Sequence, residues 1–394
     1  MADLKTLDDL DASGKKVLVR VDFNVPLKDG AVTDTTRIDK ALPTIEKLLD
    51  QGAKVILVSH LGRPKGEGFE EAFSLAPVAA ELERKIGRPV KLASDVAGDD
   101  SISLVDTMED GDVVLLENVR FDSREKKNDS GFAKELASLA DAYVNDAFGT
   151  AHRAHASTAG VAEFLPAYAG LLMQNEVETL SGIVDDPKRP FVAVIGGSKV
   201  SDKIKVIDSL LDKADTLIIG GAMCFTFLLA EGKTVGKSLK EEDWVDRSRD
   251  MIEKARANNV KLLLPIDVVV ASEIAEDADT EVVSVNDIPA DKMGLDIGPA
   301  TANMYADAIA DAGSIFWNGP MGVFEMEPFA AGTKAVADAM AKAEGDTVIG
   351  GGDSVAAVNM FDVADDMTFI STGGGASMEL VQGEALPGVE ALKN

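Results

Sequence analysis

The chain has 394 residues, 46% of them hydrophobic and 27% charged, enough for two domains with their own cores and unlike a disordered or disulfide-stapled polypeptide. Its 39 Lys and Arg stand against 68 Asp and Glu, and the net charge of −29 is shared by both halves (21 basic and 33 acidic residues in 1–185, 18 and 35 in 186–394), which disfavours nucleic acid and anionic lipid as partners. A single cysteine, Cys224, excludes an intrachain disulfide and a multi-cysteine metal site, and no apolar run reaches the ~18 residues of a membrane span.

The opening Met-Ala-Asp-Leu-Lys has neither the charged nor the apolar region of a secretory leader, so a reducing cytoplasm is expected. Val17 to Val21 reads as a first strand. Ile38, Ala41, Leu42, Ile45, Leu48 and Leu49 then share one face of a helix that Gly52 ends. Lys54 to Val58 is the next strand, and Ser74 is expected to cap a helix that stops at Gly87. Further strands are expected at 112–116, 191–195, 215–219, 261–264, 314–317, 346–349 and 367–370. Apolar strands alternating with amphipathic helices indicate parallel sheets covered on both faces, and about a dozen exceed one sheet. The expected fold is therefore α/β: two doubly wound, mainly parallel, Rossmann-like domains with a cleft between them. The helix at 171–185, followed by the turn Asp185-Asp186-Pro187-Lys188-Arg189-Pro190, is the expected connection.

Ligands of open parallel sheets bind beyond the carboxyl ends of strands. In the first half those positions hold Asp22-Phe23-Asn24, His60-Leu61-Gly62-Arg63, Glu117-Asn118-Val119-Arg120 and Asn145 to Arg153, and Arg37 opens the first helix. Arg37, Arg63, Arg120 and Arg153 would form a cationic basin whose forked donors suit carboxylate and phosphate. The three histidines, His60, His152 and His155, have no metal-ligand spacing.

Glycines occupy the equivalent places in the second half: Gly196-Gly197-Ser198-Lys199, Gly220-Gly221, Asn318-Gly319-Pro320, Gly350 to Ser354 and Gly373-Gly374-Gly375. Such loops let backbone amides approach a phosphate or a flat base, so a nucleotide is the expected occupant. Lys199 and Lys203, four apart, are expected on one helical face toward successive phosphates. Asp353 suits Mg²⁺, with Ser354 starting a helix. Neither a Walker-A pattern nor a protein-kinase H-R-D motif is present.

The runs Arg20-Val21-Asp22-Phe23-Asn24-Val25-Pro26, Ser59-His60-Leu61-Gly62-Arg63-Pro64, Gly196 to Lys203, Trp317 to Glu325 and Gly350 to Ser354 together resemble phosphoglycerate kinases, in order and along the whole chain. The resemblance implies reversible phosphoryl transfer between 1,3-bisphosphoglycerate with MgADP and 3-phosphoglycerate with MgATP, in glycolysis and gluconeogenesis, by direct in-line transfer after domain closure. It implies an acceptor site of Asp22, Phe23, Asn24, Arg37, His60, Leu61, Gly62, Arg63, Arg120 and Arg153. For the nucleotide it implies Lys199, Lys203, Gly220, Gly221, Asn318, Glu325, Gly351, Gly352, Asp353 and Ser354. Arg37 and Lys199, with the amides of Gly374 and Gly375, would neutralise the transferring group, and Asp353 would hold Mg²⁺. It further implies a monomer, with 376–394 returning to an N-terminal, phosphoglycerate-binding domain of 1–170 and with 186–375 binding nucleotide. Ser198 and Cys224-Phe225 depart from the family's usual alanine and Ala-Tyr.

Two other readings share parts of this pattern. A two-lobed anion-binding protein would look similar but needs neither the paired lysines nor the Gly-flanked aspartate. An NAD-dependent dehydrogenase would carry Gly-x-Gly-x-x-Gly where Val21 to Pro26 stands.

Overall fold

Runs of β-branched residues give the first half its sheet, since such side chains pack well on a pleated surface buried on both faces. The computed structural model describes residues 4–393, so the N-terminal segment read for a leader begins outside it, and Asn394 lies outside as well. In chain order this half contains β1 (Lys16–Arg20), the hairpin strands β2 (Leu27–Lys28) and β3 (Ala31–Val32), α1 (Thr36–Asp50), β4 (Lys54–Val58) and α2 (Ala76–Ile86). There follow β5 (Val90–Leu92), α3 (Asp99–Asp106), β6 (Val113–Leu115), α4 (Ser130–Ala137), β7 (Ala142–Asn145), β8 (Ala167–Ala169) and α5 (Leu171–Asp185). Six strands form one parallel sheet in the order β5-β6-β4-β1-β7-β8. Ile38, Ala41, Ile45 and Leu48 of α1 pack on this sheet's buried valines and leucines, as their spacing predicts.

Gly87 ends α2 in the left-handed conformation, at φ 65°, with its N–H on Glu83 O. Leu75, not Ser74, is the N-cap residue, but Ser74 Oγ still accepts the Ala76 N–H at 3.2 Å at the start of α2, and the buried Glu117 carboxylate takes both the Ser74 hydroxyl (2.5 Å) and the Leu75 N–H (3.2 Å).

The second half contains β9 (Phe191–Ile195), α6 (Ile204–Leu210), β10 (Thr216–Ile219), α7 (Cys224–Ala230), α8 (Val245–Ala257), β11 (Lys261–Leu263), β12 (Asp267–Ala271), β13 (Glu281–Ser284) and β14 (Met293–Ile297). It continues with α9 (Pro299–Ala310), β15 (Ser314–Asn318), α10 (Ala331–Lys342), β16 (Asp346–Ile349), α11 (Gly352–Met360), β17 (Phe369–Ile370) and α12 (Gly375–Val381). Its parallel sheet runs β11-β10-β9-β15-β16-β17, and a separate antiparallel sheet, β13-β12-β14, was not expected from the sequence.

The compact units are Met1–Glu178 with Ala385–Asn394, and Thr179–Glu384, so the division falls within α5. The chain returns to the first unit at residue 385 instead of the expected 376. The reason is that α12 packs on α6, with Ser209 Oγ donating to Val381 O at 3.3 Å. Beyond it, Gly388 N–H donates to Ala151 O at 2.8 Å within the first unit.

Candidate active site

In the first unit β1, β4 and β7 end in register, with Arg20 opposite both Val58 and Asn145, so their loops leave one sheet edge. The strand order reverses there, at β1, where ligand crevices form in open sheets. Asn118 ties the loops together: its Oδ1 accepts from Leu61 N (3.2 Å) and Arg120 N (3.1 Å), and its Nδ2 donates to Leu61 O (2.7 Å) and Phe73 O (2.9 Å). Asn24 Oδ1 accepts the Gly62 N–H at 2.8 Å. Gly62 lies at φ +61°, and a Cβ there would stand 2.5 Å from the Phe73 ring, so conformation and space both require glycine. Phe23 and Leu61 are buried beneath these loops, with Phe23 N–H on Ser59 Oγ at 2.9 Å, which makes them packing supports.

Arg20, which strand patterning absorbs as the end of β1, is fully buried beneath this edge. It donates from Nε to Ser157 Oγ (2.9 Å), from Nη1 to Val21 O and from Nη2 to His60 Nδ1 (3.1 Å). Arg37 donates to Asp22 Oδ2. Burial works against ionisation of Asp22, but His60, then Arg37 and Arg20, and the Asn24 amide overrule it and hold the carboxyl below its ordinary value. Burial and the neighbouring Arg20, Arg120 and Arg37 push His60 well down against the pull of Asp22, so the ring is neutral.

Arg120 is buried, donates from Nη1 to Gly62 O at 2.8 Å, and has no partner for Nε. Burial, with the like charges of Arg20 and Arg153, pushes it down to about 10. Arg153 is exposed and donates to His152 Nε2 at 3.1 Å, which leaves the His152 proton on a buried, unpartnered Nδ1. Burial, then Arg120 and Arg20, pushes His155 down to about 4. Arg63 is exposed and makes no hydrogen bond or ion pair among the described residues.

In the second unit the order reverses at β9, where Ile195 is opposite Ile219 and Asn318. The glycine loops interlock through their backbones: Gly196 N–H donates to Asn318 O (2.8 Å), Gly197 N–H to Pro320 O (3.1 Å) and Gly221 N–H to Met321 O (3.0 Å). A Cβ on Gly221, at φ +66°, would stand 2.4 Å from Gly197 O, and one on Gly220 would stand 2.2 Å from Met321 Sδ. Beside them lies a cavity of about 340 Å³ lined by Gly197, Ser198, Gly221, Phe225, Leu239, Gly294, Glu325 and Asp353 among others. Its walls are mostly apolar side chains and backbone, the surface a nucleobase prefers.

Lys203 is the N-cap residue of α6 and donates to Asn318 Oδ1, while Asn318 Nδ2 donates to Gly350 O at 2.7 Å. Burial lowers the Lys203 ammonium against the pull of Asp353 and Asp202. Lys199 lies exposed in the loop before α6, so the two lysines do not share a helical face as expected. Ser354 is likewise not the helix starter. α11 begins at Gly352 after Gly351 at φ +90°, and the buried Ser354 hydroxyl accepts Gly319 N–H at 2.6 Å. Asp353 and Glu325 are exposed, and Gly374, at φ +52°, precedes Gly375 at the start of α12.

The family profile described as Phosphoglycerate kinase matches residues 7–384. The chain belongs to the phosphoglycerate kinase family. It is 60% identical over 387 residues to the phosphoglycerate kinase of Moorella thermoacetica, covering 98% of each chain. With that of Clostridium novyi it shares 58% over 395 residues, covering 99% of this chain and 98% of the other. Phosphoglycerate kinase structures from Coxiella burnetii (TM-score 0.93, 45% identity) and Pyrococcus horikoshii OT3 (TM-score 0.83, 32% identity) each cover 99% of this chain and 98% of their own. The family's reaction is the reversible, Mg²⁺-dependent phosphoryl transfer of glycolysis between 1,3-bisphosphoglycerate with ADP and 3-phosphoglycerate with ATP.

Beneath the first unit's sheet edge, the buried Ser157 and Glu125 were not singled out by motif spacing, and Arg20 and Asn118 were read only as parts of longer runs. In the second unit the buried Asp296 was likewise not singled out. It lines the cavity, accepts Gly332 N–H at 2.6 Å and is pushed up to about 7 by burial. Among the described residues no cluster of three or more His, Cys, Asp or Glu could cage a metal. A lone exposed carboxylate, Asp353, at the edge of the cavity fits Mg²⁺ that arrives on nucleotide phosphates and keeps several waters.

Proposed function

We propose that the first unit binds 3-phosphoglycerate through Arg37, His60, Arg63, Arg120 and Arg153, oriented by Asp22 and Asn24, and that the second binds MgATP through Lys199, Lys203, Asn318, Glu325 and the Gly351–Ser354 turn. One observation carries the acceptor side. Arg20, Arg120 and Arg153 repel one another, while Arg120 Nε and His152 Nδ1 lie buried without partners. Buried donors without acceptors are costly, and an anion with several oxygens would satisfy them.

An acceptor carboxylate oxygen attacks the γ-phosphorus in line, a new P–O bond forms, the bond to the β,γ-bridging oxygen breaks, and ADP departs. No covalent enzyme intermediate is needed; Arg37, Lys199 and the Gly374 and Gly375 amides neutralise the equatorial oxygens. Mg²⁺ bound at Asp353 would offset phosphate charge and orient the nucleotide. Ligand-driven closure about 171–185 brings the reactants together. The radius of gyration should fall between the free enzyme and a ternary complex with a nonreactive ATP analogue, and an unchanged value would refute closure.

A monomer in the cytoplasm is the accompanying reading, supported by the charge of −29 and the single, buried cysteine. Among the described residues no helix is long and apolar enough to cross a membrane. Turnover of 3-phosphoglycerate with MgATP in a coupled assay tests the whole reading. A folded sample that binds anions or nucleotide without turnover would overturn it.

A further inference from the structure

A buried guanidinium must find acceptors for its donors and a counter-charge for its cation. Arg20 finds them on two sides and donates to both. Its Nη2 lies 3.1 Å from His60 Nδ1. Because a guanidinium has no lone pair to offer, the imidazole nitrogen must accept, and the proton of the neutral ring therefore sits on Nε2. On the other side, Arg20 Nε donates to Ser157 Oγ at 2.9 Å. That hydroxyl hands its own proton to Glu125 Oε1 at 2.7 Å, while Ser157 N–H donates to Glu125 Oε2 at 2.9 Å. Arg20, Ser157 and Glu125 are wholly buried and His60 nearly so, so water cannot rescue a reversed bond. Arg20 donates at both ends, so Glu125 acts on the ring only by anchoring the guanidinium, through Ser157, where its Nη2 reaches His60 Nδ1.

We propose that Glu125 is a positioning residue for the acceptor site: through Ser157 and Arg20 it fixes His60 as the Nε2–H tautomer, so that the ring offers a donor to the anionic substrate instead of a lone pair. Asp22 Oδ1, 3.9 Å from Nδ1, is an acceptor for the opposite tautomer, but that tautomer would set Nδ1–H against the anchored Arg20 guanidinium and turn a lone pair toward the substrate's oxygens. The inference rests on the reading of His60 as an acceptor-site residue. It adds a second function to Glu125 beyond charge compensation for Arg20.

The test compares Glu125→Gln and Ser157→Ala with the parent chain. Imidazole ¹⁵N spectra report the tautomer, and with only three histidines the signals are assignable. In both variants the guanidinium loses its anchor and Nδ1 is left facing Asp22, so we expect the His60 nitrogens to shift toward mixed tautomers. The KM for 3-phosphoglycerate should rise about five- to tenfold, the scale of one misdirected charge-assisted hydrogen bond, with the KM for MgATP unmoved and kcat changed less than KM. A purely structural role would not alter the ring signature in a variant whose circular dichroism and nucleotide affinity are those of the parent. Should Glu125→Gln fail to fold, Ser157→Ala, which removes one hydroxyl and no charge, decides alone. Parental His60 nitrogens together with a parental KM would overturn the proposal. Absence of turnover in the parent would instead refute the kinase assignment, and the spectra would still decide the His60 tautomer.

Discussion

Arg37→Ala separates anchoring from catalysis. Arg37 enters the basin from α1, and its side chain is 39% exposed and held only by Asp22. Arg20, Arg120 and His60 stay buried at the same edge when it is removed, and Arg63 and Arg153 remain free to reach an anion. The loss in equilibrium binding should therefore be that of one half-exposed contact, ~0–1 kcal/mol or at most about fivefold in Kd. If Arg37 meets the equatorial oxygens only as charge spreads in transfer, kcat should fall ~10³-fold, about 4 kcal/mol. Asp22 is a complication. Once released, its carboxylate faces the anion with less compensation and could weaken binding by itself. Asp22→Asn in the Arg37→Ala background removes that repulsion and should restore affinity without restoring rate. Steady-state kinetics beside calorimetric titration of 3-phosphoglycerate gives both numbers. A kcat within a few-fold of the parent, or a loss confined to Kd, would make Arg37 an anchor and leave Lys199 as the main protein charge on the transferring group.

Lys203→Ala should weaken nucleotide binding about tenfold or more by calorimetry and leave 3-phosphoglycerate binding unchanged, because its ammonium sits between Asn318 and the charge of Asp353. Asp353→Asn should raise the Mg²⁺ concentration needed for half-maximal rate about tenfold with little change in fold stability, since the carboxylate is exposed; an unchanged Mg²⁺ titration would remove it from the metal site. Asp146, buried with Oδ2 unpartnered, is pushed up from 3.8 to about 7 by burial against bonds from Thr44 and the Met173 and Leu172 amides. A carboxyl whose folded pKa is raised stabilises the fold fully below pH ~4, and that contribution is lost as pH rises to about 7, at most on the order of 4 kcal/mol. Denaturant titrations should therefore show the Asp146→Asn chain flatter across pH 4–8 than its parent, and parallel profiles would contradict the shift.

The strands were legible because buried parallel strands are continuous apolar runs, and the loops gathered at each sheet edge were legible because they follow those strands. What the sequence hid has a physical pattern. Arg20 looks like a polar strand terminus, and nothing in Val17 to Val21 says that its guanidinium turns inward beneath the sheet edge. Glu125 and Ser157 are 32 residues apart, and only the fold sets their side chains 2.7 Å apart. The antiparallel β12–β14 sheet is hidden within a chain whose flanking strands and helices keep a parallel rhythm, yet β14 supplies Gly294 and Asp296 to the cavity wall. Lys199 and Lys203 have a helical spacing, but the loop persists to Lys203, so the spacing misled.

In the proposed reading the two units would attract anions by different physics, and this sets how each should respond to perturbation. The second unit uses glycine to bring backbone amides and apolar walls close. Added volume damages it, as the 2.4 Å clash of a Cβ on Gly221 illustrates. The first unit keeps positive charge beneath its surface in a chain of net −29, which demands local compensation by Asp22 and Glu125. A fully compensated basin would bind nothing, so some buried donors must stay unpaired until substrate arrives. Arg120 Nε and His152 Nδ1 are the atoms that do so. The stability lost to those unpaired donors in the free protein is recovered only when an anion is bound. On that ground phosphoglycerate should raise the melting temperature of the first unit more than its contact area alone would suggest.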